Sequence, residues 1–271
     1  MFEALDLLIW PFLAALVLTG IHVYLGLHVV TRGVIFVDLA LAQVAALGTA
    51  VGILLGWEHD STTTYFIALG FTFLGATLFA ITRTKNDKVP QEATIGITYV
   101  VTAALMILLF SKSAEGAEHI NHLLVGSILF VTPKIVGITF LLYAVIGVFH
   151  WFFRTEFLEA SKNRDERKLP HTRIWDFLFY VTFGFVVTSS VKIAGVLLVF
   201  SFLIIPAVAA LLFVNGIRNR LIFGWAFGVV GSFFGMLASL ILDIPTGASI
   251  VVTFGVLLVM FSLTSLILNK G

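Results

Sequence analysis

Asp38 is the residue of this chain best placed to do chemistry, because it stands inside a long apolar run. The run covers 33–56, and Asp38 comes six positions after Arg32, ~9 Å into the run at about 1.5 Å of helical rise per residue. A carboxylate at that depth is costly unless it meets protein, water or a cation, so such groups mark ion and proton pathways. Pairing with a nearby arginine or with the backbone is the competing role. His22 lies in the first apolar run. A neutral core histidine satisfied by its neighbours accounts for it, with a pathway role as the alternative. Asp176 and Asp243 fall near the ends of runs, where water reaches them. Asp243 leads into Ile244-Pro245-Thr246-Gly247, turn chemistry ahead of a helix start, and reads as structural.

A second constellation is Glu115, Glu118, His119 and His122. On a helix, His119 and His122 share a face and Glu115 precedes His119 by one turn. Imidazole and carboxylate suit a divalent ion such as Zn²⁺. A solvated loop of the same composition is the plainer reading.

These residues must be held by elements built from an apolar chain. Hydrophobic residues make up 59% of the 271 residues and charged residues only 11%, with a net charge of +1 and a mean hydropathy of +1.08. Soluble domains carry about 25% charged residues. The composition therefore excludes a soluble enzyme, a disordered chain and a nucleic-acid binder with a basic face. Cysteine is absent, which removes disulfides, thiolate metal sites, Fe–S clusters and cysteine nucleophiles.

A membrane-crossing helix needs about 20 mostly apolar residues. Such runs occupy 7–27, 33–56, 64–82, 94–111, 134–153, 174–191, 193–213, 221–242 and 248–268. The first has no basic segment ahead of it and is kept as a span rather than a cleaved signal. Residues 123–132 are apolar but too short to cross, and read as a re-entrant or surface helix. Only Lys192 separates the sixth and seventh runs. The expected fold is an all-α integral membrane protein: a polytopic bundle of eight or nine transmembrane helices with one short re-entrant or surface helix, forming a single membrane domain over 1–271.

With the N-terminus outside and nine crossings, every basic residue except Lys112, Lys134 and Lys192 falls inside, as the positive-inside rule requires. The longest soluble stretch, 154–173, is then cytoplasmic and too short for a catalytic domain. Gly48, Gly52 and Gly56 recur at four-residue steps, and Gly224, Gly228, Gly231 and Gly235 make a similar stripe. Small residues at that spacing let helices approach closely in lipid. Packing within one subunit is the plain explanation; a subunit interface or sliding surface is the other. No G-x-x-x-x-G-K-[ST], H-E-x-x-H or G-x-S-x-G motif occurs, so the chain has no ATP cradle of its own and no sign of a hydrolase.

Four stretches resemble the permease subunits of metal-ion ABC importers of the zinc/manganese/iron type. They are Arg32-Gly33-Val34-Ile35-Phe36-Val37-Asp38 continuing through Leu41-Ala42-Gln43 to Ala46-Leu47-Gly48; Ala93-Thr94-Ile95-Gly96-Ile97 with His122-Leu123-Leu124-Val125-Gly126-Ser127-Ile128-Leu129; Lys192-Ile193-Ala194-Gly195-Val196 running on into Leu203-Ile204-Ile205-Pro206-Ala207; and Asp243-Ile244-Pro245-Thr246-Gly247-Ala248. They occur in family order across nearly the whole chain.

The resemblance implies a pathway formed by two permease copies, a homodimer. It implies separate ABC ATPase subunits on the cytoplasmic side, binding the ATP that this chain does not. It implies an extracytoplasmic metal-binding protein that delivers a divalent metal ion (zinc, manganese or iron). The ATPase contact would follow the Ile-Ile-Pro element, over Ala207–Leu221, with Pro206, Asn215, Gly216, Arg218, Asn219 and Arg220 as coupling residues. The family usually carries an Asp and a His four apart in the second span, and those positions are Leu39 and Gln43 here. Asp38 is one residue early, so the usual clip is absent or rebuilt, with His22 as one possible contributor. Asp38, Gln43 and His22 stand as pathway candidates. A self-sufficient secondary transporter or channel for a cation or small solute is the alternative reading, and a non-transporting scaffold the third.

Overall fold

The computed structural model describes residues 2–59, 61–82, 89–111, 126, 128–162 and 172–268. Its elements are helices: α1 (Phe2–Arg32), α2 (Val37–Leu54), α3 (Thr62–Thr82), α4 (Gln91–Phe110), α5 (Pro133–Phe152), α6 (Arg154–Lys162), α7 (Thr172–Phe213), α8 (Ile217–Leu242) and α9 (Thr246–Leu268), with a 3-10 turn at Ile128–Phe130. No strand occurs among the described residues. A helix is the open-chain element that satisfies every backbone N–H and C=O internally, which an apolar surrounding demands. Among the described residues, eight helices are long and apolar enough to cross a membrane.

The sixth and seventh apolar runs join as α7, which has 42 residues. At about 1.5 Å per residue that is ~63 Å, roughly twice the hydrocarbon thickness of a bilayer. The helix is broken at Gly195, with φ 74° and ψ 164°. A side chain would clash in that conformation, so glycine marks the break. Residues 172–194 and 196–213 are each long enough for one crossing. The expected eight or nine spans therefore turn on counting α7 once or twice.

Within the soluble stretch 154–173, Arg154–Lys162 forms α6, burying Phe157, Ala160 and Ser161. Of the short piece expected over 123–132, the described part contains only the 3-10 turn at Ile128–Phe130.

The chain divides into two compact units. The first comprises Met1–Leu27, Val125–Leu141 and Ile193–Gly271. In it the α8 glycines seat helix on helix. A methyl group at Gly228 would meet Thr19 Cγ2 of α1 at 2.5 Å, and one at Gly235 would meet Ile250 Cα of α9 at 2.6 Å. This stripe packs within the subunit. Leu27, Ala207 and Ala210 form a buried cluster where α1 meets α7, and Phe202 meets Phe254 of α9 edge to face, centroids 5.3 Å apart.

The second unit comprises His28–Leu124 and Leu142–Lys192. Here Gly48 admits Ala68 of α3, whose Cα lies 2.7 Å from where a methyl would sit, and Gly52 admits Thr64. Gly56 does not continue the stripe. It ends α2 at φ 90°, with nothing within 4 Å of its missing side chain. Ala46, Leu47 and Ala50 of α2 close on Met106 and Phe110 of α4. The most apolar stretch of α2 is 72% buried and that of α4 only 22%, so α2 is interior to its unit while α4 turns Ile97, Val100 and Leu108 outward. Asp38 and Gln43 of α2 are interior.

Candidate functional site

The site is built around α2. Helix α1 ends at Arg32, and Gly33 N–H donates to Val30 O at 3.1 Å. The chain turns through Val34–Phe36, and Glu92 Oε1 accepts Phe36 N–H at 3.2 Å, fixing the residue ahead of α2. Asp38 follows in the first turn of α2, where the positive end of the helix dipole favours a carboxylate. It is 0% exposed, and neither of its oxygens has a hydrogen-bond partner among the described residues. Gln43 is also buried, and its Oε1 has no such partner. The structure thus sets two oxygen-bearing side chains inside one unit with acceptor capacity unspent. Leu39 is only half-buried and presents no donor.

Polar groups continue around α2 within the same unit. A recess of about 30 Å³ is lined by Thr49, His59, Thr64, Tyr65, Thr188 and Lys192, room for about one water-sized occupant. Thr72 and Thr188 hydroxyls lie 2.8 Å apart, joining α3 to α7. Tyr143 of α5 lies 3.1 Å from Ser189 Oγ. Hydroxyls and carbonyls can rearrange around a passing cation without a charge of their own.

The alternative in which Asp38 pairs with an arginine is not what the structure shows. Arg32 Nη1 donates instead to Asp176 Oδ1 at 2.6 Å, with the side chains 1% and 3% exposed. Sequence reasoning placed Asp176 at a watery run end and missed this pair. A signal existed: both residues fall at the same end of their spans once the chain alternates. His22 belongs to the first unit, wholly buried, with Nδ1 2.8 Å from Leu18 O.

The proposed coupling segment lies in the first unit. Pro206 is buried within α7, whereas Asn215, Gly216, Arg218 and Asn219 are exposed and Arg220 is half-buried. Arg220 Nε donates to Val214 O at 3.0 Å and Asn219 Nδ2 to Asn215 O at 3.2 Å. The three-residue link between α7 and α8 is therefore held in shape by its own side chains, with Arg218 projecting. Asp243 caps α8 at φ 52°. Ser239 Oγ donates to Ile244 O at 2.6 Å and lies 2.8 Å from Thr246 Oγ1, so the turn is knitted together as its composition implied. Glu115, Glu118, His119 and His122 lie outside the described residues. Among the described residues no three His, Asp or Glu side chains converge on a metal position.

Comparison with known proteins places this architecture. The profile of the ABC 3 transport family matches residues 4–265. The chain is 23% identical over 229 residues to the manganese transport system membrane protein MntC of Listeria monocytogenes, covering 84% of this chain and 79% of the relative. It is 25% identical over 239 residues to the manganese import system permease protein ScaB of Streptococcus parasanguinis, covering 85% and 81%. Its fold is similar to a chain of PsaBC from Streptococcus pneumoniae in complex with Fab, with a TM-score of 0.78, 23% identity, and 96% and 95% coverage. With the family matched over almost its full length and eight helices able to cross a bilayer, the chain is a multi-pass membrane protein belonging to the ABC 3 transport family.

Proposed function

We propose that this chain is the membrane-spanning permease subunit of an ABC importer whose cargo is a divalent metal ion, with Asp38 on the cargo's route. The observation that carries the site is the fully buried Asp38 carboxylate with no hydrogen-bond partner among the described residues. A charge kept in such a place is expensive, and a transient cation supplies what it lacks. Gln43 adds an amide oxygen from the same helix. Oxygen ligands suit manganese better than the thiolate-loving metals. The relatives named for manganese transport point the same way, so of zinc, manganese and iron we favour manganese.

Work comes from elsewhere. The chain carries no nucleotide-binding motif, and in this reading it is not itself an enzyme. Two ATPase subunits dock on the inner face and bind ATP. Their closure pushes the exposed link at Asn215, Gly216, Arg218 and Asn219. Arg220 and the buried Pro206 behind it pass the push into α7 and α8. A second permease copy completes the pathway, and an extracytoplasmic metal-binding protein delivers the ion. The 115–122 His/Glu cluster is the candidate outer receiving point. Co-expression with such an ATPase and binding protein in a strain starved of manganese tests this. Growth rescue that depends on manganese and is lost with Asp38→Ala is expected. Rescue by no divalent metal would overturn the reading.

A further inference from the structure

Two helices of the second unit, α6 and α7, bind Arg32 at the end of α1, and α4 and α5 join the cluster through the neighbours of Arg32. Arg32 Nη1 holds Asp176 at the start of α7, and Arg32 Nε donates to Ser161 Oγ of α6 at 3.0 Å. His28 Nδ1 lies 2.7 Å from the same oxygen, and the Ser161 hydroxyl donates to Phe157 O at 2.8 Å. The guanidinium lies 4.0 Å from the ring centroid of Phe179. His150, at the end of α5, stacks on Phe157 with centroids 4.0 Å apart. Gln91 of α4 donates to Tyr180 Oη at 3.1 Å, beside the same guanidinium.

Helix α6 enters this cluster through Phe157, Ala160 and Ser161 while Arg154, Thr155, Glu159 and Lys162 remain exposed. It is therefore a handle: one face accessible from the side assigned to the cytoplasm, the other bonded to Arg32. Arg32 in turn is joined to α2, and so to Asp38, by the short turn at 33–36. A buried ion pair is seldom the most stable way to fill such a space, since apolar residues of equal volume do as well or better. Its distinguishing property is that it can part and be solvated, which an apolar plug cannot.

We propose that Arg32, Asp176 and Ser161 form a latch that closes the inner end of the second unit, released when α6 moves, so that Arg32 and Asp176 are positioning residues for cation release. This rests on the reading of the chain as an ATP-driven permease. The chain has no cysteine, so Ser161→Cys introduces one thiol, near-isosteric and at a position only 4% exposed. The probe is a membrane-impermeant maleimide applied from the ATPase side to the complex in proteoliposomes, with and without ATP plus vanadate. The expected result is a labelling rate that differs roughly tenfold between the two states, since local opening governs access to a buried group. With Asp176→Asn added, labelling becomes fast in both states. In that background ATP hydrolysis continues while uptake falls roughly tenfold, a split that a merely structural role would not produce. Equal labelling in both states of a complex that takes up cation overturns the latch alone. So does Asp176→Asn with unchanged uptake. Should Asp176→Asn fail to assemble, the labelling contrast in the otherwise unaltered chain decides. A parent complex without ATP-driven uptake sinks the proposed function and the latch with it.

Discussion

Removing a charge from the interior of a protein normally costs the contacts that the charge made, but among the described residues the Asp38 carboxylate has no hydrogen bond to lose. A buried unsatisfied group costs about 1–3 kcal/mol, more when charged. Asp38→Asn exchanges a buried charge for a neutral amide of the same shape and is therefore expected to leave thermal stability within about 1 kcal/mol of the parent while uptake collapses, the opposite of a structural residue. Thermal unfolding of the purified complex, set beside uptake in vesicles, checks this; a large loss of stability would mean that the carboxylate has a structural partner. Asp38 was conspicuous in the sequence as an acid among apolar neighbours, but its depth was not legible: the run was read as helical from residue 33, whereas α2 begins at Val37 and Asp38 stands in its first turn. The fate of Arg32 was not legible either. Nothing in spacing tells which of two acids, Asp38 six residues away or Asp176 far along the chain, will take a given arginine. Tertiary approach decides that, and here it brings α7 to α1.

Among the elements, the apolar runs mapped onto helices closely, since length and hydropathy set what can cross a bilayer. One boundary differs. Lys192 looked like a separator, yet the helix runs through it and breaks at Gly195, because one lysine can reach outward whereas a positive φ needs a glycine. Within the soluble stretch 154–173, Arg-Thr-Glu-Phe-Leu-Glu-Ala-Ser-Lys has no breaker and forms α6, with Phe157 and Ala160 on one face. Close packing gives a graded test. Gly235→Leu must displace the Ile250 backbone and is expected to destabilise by about 1–3 kcal/mol. Gly137→Ala meets nothing within 4 Å and is expected to be neutral or slightly stabilising. Thermal melts of the two variants separate these outcomes. At the α7–α8 link, Arg218→Glu reverses an exposed charge and Arg220→Glu also removes the bond to Val214 O. The double variant is expected to fold yet lose co-purification with the ATPase. Undiminished co-purification would remove this segment from the interface.

For the whole molecule, family membership and the helical architecture rest on the full length of the chain, whereas the cargo rests on a few side chains. That difference has a physical origin. Spans are specified redundantly by dozens of apolar residues, while the proposed cargo site comes down to one carboxylate and its neighbours. The central claim is that the polypeptide conducts but does not drive. The most direct measurement is manganese flux into vesicles holding the chain alone, the chain with its ATPase, and the ATPase complex with ATP and binding protein. Accumulation only in the last, abolished by Asp38→Asn, is the predicted result. Uphill accumulation by the chain alone, powered by an ion gradient without nucleotide, would contradict the account.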